Sequence, residues 1–202
     1  MEQHSSGPRT GTLNPWLTIW IRPRATIRAY LDSAQPERHL VPLSIVAGII
    51  SAIVEYSTNP RLQDMPPVAL AIAAMISGAV GGIIGIYFFG WLIAKVGGWV
   101  GGQGRSREIR TAILRGNYMP AILAAIVSIP NLMIPGGSLF SLLFGGLTIV
   151  LGIWMLGISI LSIAEAHQFS VWKSLLCGII AGILLMIVLV LVVTVIILLF
   201  NL

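Results

Sequence analysis

The residues best equipped for chemistry in this sequence are three histidines, one cysteine and seven carboxylates. His4, His39 and His167 lie far apart and show no metal-ligand spacing. Glu165 and His167 are close, but they form no recognised hydrolytic constellation. Gly97, Gly98, Gly101, Gly102 and Gly104 form a glycine-rich run. No Gly-Lys-Ser/Thr follows it and no strand pattern precedes it, so it is not a phosphate loop. Cys177 sits among Leu175, Leu176, Ile179 and Ile180. A lone cysteine there excludes an internal disulfide and reads as a small buried apolar residue. The residues predict no catalytic group, no metal and no cofactor, and therefore no enzyme.

The elements that hold these residues explain why. Of 202 residues, 56% are hydrophobic and 9% charged, and the mean hydropathy is +0.94. A soluble domain carries roughly 25% charge. The apolar residues also form long runs, so the chain is expected to be an all-α, polytopic membrane bundle of about five transmembrane helices. The expected spans are 40–58, 68–95, 117–134, 139–164 and 175–200. Asp32 and Asp64 fall outside them, which removes a paired-aspartate intramembrane protease. Pro120 and Pro130 should kink the third span.

Ahead of the spans, residues 1–12 are polar and read as a flexible tail without the apolar core of a signal peptide. Residues 13–39 are too interrupted to cross a membrane. Trp16, Ile19, Trp20 and Ile21 meet Arg22, Pro23 and Arg24. A short helix follows, with Pro23 in its first turn and Arg24 and Arg28 opposite Ile27, Tyr30 and Leu31. Aromatic rings beside arginines suit a helix lying in the interface plane.

The net charge of +5 would suggest nucleic acid in a soluble protein. Here the cations flank the spans, and no nucleic-acid partner is expected. With five spans, the N-terminal segment, the second loop and the fourth loop share one side. That side holds eleven of the twelve basic residues, and only Arg61 falls opposite. The positive-inside rule then puts the N-terminus in the cytoplasm and the C-terminus outside, as expected of a multi-pass protein of the cell membrane.

Within the spans, Gly78, Gly81, Gly82 and Gly85, and again Gly178 and Gly182, are spaced for close helix approach. Packing inside the bundle accounts for them, and a homo-oligomer seam is the sharper alternative. Ionisable residues inside spans are functional candidates by default. Glu55 lies near the outer end of the first span, and Tyr118 and Asn131 belong to the proline-interrupted third. Together they sketch a polar path.

The order of three motifs resembles the Ypt/Rab-interacting (Yip) membrane protein family, specifically its prokaryotic branch. The first runs from Asn14-Pro15-Trp16 to Pro23-Arg24-Ala25-Thr26. The second is Gly101-Gly102-Gln103-Gly104, then Ser106–Leu114 and Tyr118-Met119-Pro120. The third is Ile163-Ala164-Glu165-Ala166-His167-Gln168-Phe169-Ser170 with Trp172-Lys173-Ser174. The acidic-aromatic Asp-Leu-Tyr-Gly-Pro motif of eukaryotic members is absent. Eukaryotic members of the family are non-enzymatic, oligomerise in membranes and influence vesicle traffic and membrane shape, whereas the resemblance to the prokaryotic branch implies no assigned chemistry.

Two functions are therefore in view. The first is a membrane scaffold or organiser whose basic cytoplasmic face meets anionic lipids or a membrane-protein partner through Trp16, Trp20, Arg22, Arg24, Arg28, Arg105, Arg107 and Arg110. The second is a small-solute or lipid transporter or channel using the kinked third span and the glycine-rich second. A polar cavity holding Tyr118, Asn131 or Glu55 favours the second, and a solid apolar interior favours the first.

Overall fold

In a computed structural model, residues 14–62, 65–133 and 138–200 are described, and they contain helices and no strand. The expected tail 1–12, the turn at 135–137 and the Asn131 side chain lie outside the described residues. Two short helices, α1 (Pro15–Ile21) and α2 (Pro23–Leu31), precede the long ones. The Asn14 side chain caps α1 by accepting from the Trp16 N–H. Pro23 opens α2, where its missing N–H costs nothing. The N-terminal segment is thus two helices rather than one. Both lie against the bundle, with Ile19 and Ile27 almost completely buried.

Four described helices are long and apolar enough to cross a bilayer. They are α3 (Leu40–Thr58), α4 (Pro67–Trp99), α7 (Leu139–His167) and α8 (Val171–Phe200). The expected third span is α6 (Met119–Met133). Its 15 residues rise only about 22 Å, less than a ~30 Å hydrocarbon core. It gains length by continuing, through a π-helical turn at Leu114–Tyr118, from the polar helix α5 (Ser106–Ile113).

The π turn explains how Pro120 is tolerated. Proline lacks the N–H that would bond the carbonyl four residues back. That carbonyl belongs to Gly116, and it accepts from the Ser159 hydroxyl of α7 at 3.3 Å. The same hydroxyl accepts from the Asn117 amide at 3.1 Å. A neighbouring helix thus satisfies the polar group freed in an apolar setting.

α3 and α4 make the most extensive pairing in the bundle. At their crossing Gly48 meets Gly78 and Gly82, and the Ser44 carbonyl lies against Gly82. Added Cβ atoms at these glycines would strike backbone, which cannot swing aside.

α4 has 33 residues, about 50 Å, so it overshoots the hydrocarbon by several turns. It runs past Lys95, where the sequence suggests its end, because the lysine stem can lie along the helix while Gly97 and Gly98 continue it. α8 likewise begins at Val171 instead of 175. The Ser174 hydroxyl donates to the Ile160 carbonyl at 2.7 Å and ties the first turn of α8 to α7. The adjoining ends of α4, α7 and α8, with α1, α2 and α5, build a polar cap on one end of the bundle.

Candidate functional sites: a charged cap and a polar crevice

The centre of the cap is His167, the last residue of α7, with no exposed surface. The Gly104 N–H donates to its Nδ1 at 3.2 Å, so that nitrogen carries no proton. Nε2 lies 3.2 Å from the Ile93 carbonyl and therefore donates to it. The ring is held as one neutral tautomer, with Phe169 beside it at 4.9 Å between centroids. Gly97, Gly102 and Gly104 pack so closely that a Cβ on any of them would strike the imidazole. Gly101 adopts φ +87°, a left-handed turn that suits glycine. The glycine run is therefore a clasp around a histidine. Its sequence shows the need for close backbone approach but not the group approached.

Charge pairs fasten the outer layer. Arg28 of α2 donates to Glu165 of α7 at 2.7 Å. Glu37 accepts from Arg110 of α5 at 2.7 Å, with Arg107 3.6 Å away. The Arg110 stem crosses Gly90, and its guanidinium lies 4.9 Å from the centre of the Tyr87 ring. The Glu108 carboxylate returns to the Arg105 N–H at 2.7 Å and caps α5. Trp20 packs on the apolar centre of the cap, and its carbonyl accepts from the Trp154 indole at 3.1 Å. Trp16 is half-buried on the same helix.

Arg115 belongs to this layer too, although in the sequence it is only another cation of a basic stretch. It is 4% exposed. Its guanidinium lies 4.2 Å over the Tyr30 ring and donates to the Arg38 carbonyl at 2.6 Å, while its Nε has no partner. It pins the segment after α2 to the π turn. Its burial was not legible, because the residues that cover it are distant in sequence.

The arginines named from sequence thus divide. Arg28 and Arg110 are paired in the cap, and Arg107 is exposed with its Nε 3.6 Å from Glu37. Arg22, Arg24 and Arg105 are exposed, and among the described residues no carboxylate pairs with their side chains.

The second feature lies within the bundle. A crevice of about 410 Å³ opens between α3, α4 and the start of α6, lined by Ser51, Glu55, Tyr56, Ser77, Asn117 and Tyr118 among small residues. Tyr56 and Ser77 share a hydrogen bond at 3.0 Å. A second cavity of about 270 Å³ shares Phe89, Asn117 and Tyr118 with it and is also lined by Ile93, Ile113, Ser159 and Ile163. Glu55 and Tyr118 are therefore brought to one space.

The named glycines have different surroundings. Gly78 and Gly82 face α3, and Gly85 lies beneath the Tyr118 hydroxyl, which a Cβ would approach to 3.1 Å. Gly81, Gly178 and Gly182 have nothing within reach of a Cβ. Gly48, the partner of the first two, was not singled out from sequence, since it has no second glycine four residues away.

All three motifs that carry the family resemblance meet in the cap and the adjoining π turn. Arg28 next to the first motif reaches Glu165 of the third. Gly104 of the second reaches His167 of the third. No curated protein and no solved structure matches the chain. The Yip1 domain, however, matches residues 17–193, nearly its whole length. Together with the apolar helices that span this region, that match identifies the chain as a membrane protein of the Yip1 domain family.

Proposed function

We propose that the chain is a non-enzymatic membrane organiser of the family's prokaryotic branch, with the cap on the cytoplasmic side of the cell membrane. The lack of the Asp-Leu-Tyr-Gly-Pro motif supports the branch, and the bias of basic residues supports the orientation. The observation that carries the organiser role is the rim of the cap. Arg22, Arg24 and Arg105 are exposed on the helices of the cap, and Trp99 and Trp172 are exposed at the adjoining ends of α4 and α8. Cations beside amphipathic rings suit an anionic headgroup layer, at about 1 kcal/mol for each cation near the surface.

The test is lipid selectivity of the full chain in mixed bilayers, read with spin-labelled phosphatidylglycerol against phosphatidylcholine. Changing Arg22, Arg24 and Arg105 together to glutamine should remove most of the preference for phosphatidylglycerol. Changing Arg107 alone should remove little, because it already faces Glu37. An unchanged preference in the triple variant would refute the basic-rim reading. Cysteine labelling should reach positions 103–107 from the cytoplasm and 136–138 from outside; labelling of both from one side would overturn the five-span orientation.

A second reading, transport, is favoured by the crevice that joins Glu55 to Tyr118. A second cavity that shares Phe89, Asn117 and Tyr118 with it carries the lining on to Ile93 and Ile163.

A further inference from the structure

The crevice has a chemical gradient along its length. Its wide part carries the Ser51, Tyr56 and Ser77 hydroxyls and the Glu55 carboxylate. Its waist is Phe89, Asn117 and Tyr118. Beyond the waist, the adjoining cavity is lined by Ile93, Ile113 and Ile163, with the Ser159 hydroxyl. A carboxylate within a membrane span requires a partner or water. Among the described residues no arginine, lysine or histidine pairs with Glu55. The side chain is exposed, one turn from the C-terminal end of α3. The larger volume, about 410 Å³, falls within the ~300–1,000 Å³ range of small-molecule sites. Polar at the mouth and apolar at the base, the space complements a molecule with a polar head and an apolar chain. Among the described residues Glu55 is the one charged group in its lining, and it fixes the sign of the head.

We infer that this crevice binds a cationic amphiphile, with an ammonium head at Glu55 and a hydrocarbon chain running past Phe89 and Tyr118 towards Ile93. The carboxylate supplies the counter-charge, and the Ser51 and Tyr56 hydroxyls replace water around the head. The chain exchanges lipid for an apolar wall that already excludes water. An anionic amphiphile is rejected at the mouth by Glu55. The inference goes beyond the organiser role and gives the transport reading its ligand class, yet it needs binding alone.

Photolabelling of the full chain in dodecyl maltoside tests it. The probe is a dodecylammonium ion with a diazirine near the end of its chain, compared with the matching uncharged dodecanol. The ammonium probe should label peptides of α3, α4 and α6 that border the crevice, and excess dodecyltrimethylammonium should compete. Glu55→Gln should reduce labelling by the cation about tenfold and leave labelling by the alcohol unchanged, a loss of about 1.4 kcal/mol. Ala121→Phe, which fills the crevice from α6, should suppress labelling by both. Equal labelling by the two probes, labelling spread over the lipid-facing surface of α8, or insensitivity to Glu55→Gln would each overturn the inference. Flux measured in liposomes is a separate readout. Site-specific binding without flux would leave the inference standing and remove the transport reading.

Discussion

Replacing Gly82 with alanine should destabilise the folded protein by about 3 kcal/mol, whereas the same change one residue earlier, Gly81→Ala, should cost nothing or stabilise slightly. A Cβ at position 82 falls on the Ser44 carbonyl and close to Gly48. Both are backbone, so the helices must separate along the whole α3–α4 seam. In a bilayer that contact rests on close approach rather than on hydrophobic burial, and even a small separation forfeits much of its dispersion energy. At position 81 a Cβ meets nothing, and alanine is the better helix former. Thermal unfolding of both variants in maltoside measures the contrast. Equal stability would mean that α3 and α4 do not cross at these glycines.

The second large effect is expected at the clasp. His167→Ala removes the acceptor for the Gly104 N–H and the donor for the Ile93 carbonyl, both in a buried setting. The Ile93 carbonyl lies within α4 and also accepts from the Cys177 thiol at 3.7 Å, so the group left orphaned is the Gly104 N–H, at about 1–3 kcal/mol; the vacated ring space adds to that, and the total should reach about 3 kcal/mol. His167→Asn should recover part of the loss, because its side-chain oxygen can stand near the position of Nδ1. The loss should be local to the cap. The Gly104 amide should exchange much faster in the alanine variant, while amides in the middle of α4 keep their protection. Fast exchange at Gly104 in the parent protein would show that the clasp does not hold.

The same contrast between positions 81 and 82 marks what was legible in the sequence. Long apolar runs give spans directly, because a helix in lipid must satisfy its own backbone over a fixed thickness. The first span, 40–58, has the bounds of α3. Pro23 as the opening residue of α2 follows equally from a local rule. The glycine spacing pointed to α4, yet it could not tell which glycines face α3, since that depends on Gly48 some thirty residues earlier. Helix lengths at the cap were underestimated because Gly97, Gly98 and Lys173 look like loop residues. Only the packing of His167 and the Ser174–Ile160 bond makes helix the favourable state there. Glu55 and Tyr118 were marked by their types. The cavity that joins them arises from how three helices splay, which no local pattern encodes.

The pairing of Arg28 with Glu165 sets an order on biosynthesis. The two residues are 137 positions apart. At about 5–20 residues per second, the ribosome delivers Glu165 some 7–27 s after Arg28. Gly104 waits for His167 across 63 positions, about 3–13 s at the same rate. During those intervals α1 and α2 have no docking surface on α7, and their apolar faces must be sheltered by lipid or by the insertion machinery. The cap therefore cannot close before the end of α7 has been made. A ribosome stalled before α7 would leave a membrane-inserted chain whose arginines have not yet met their partners.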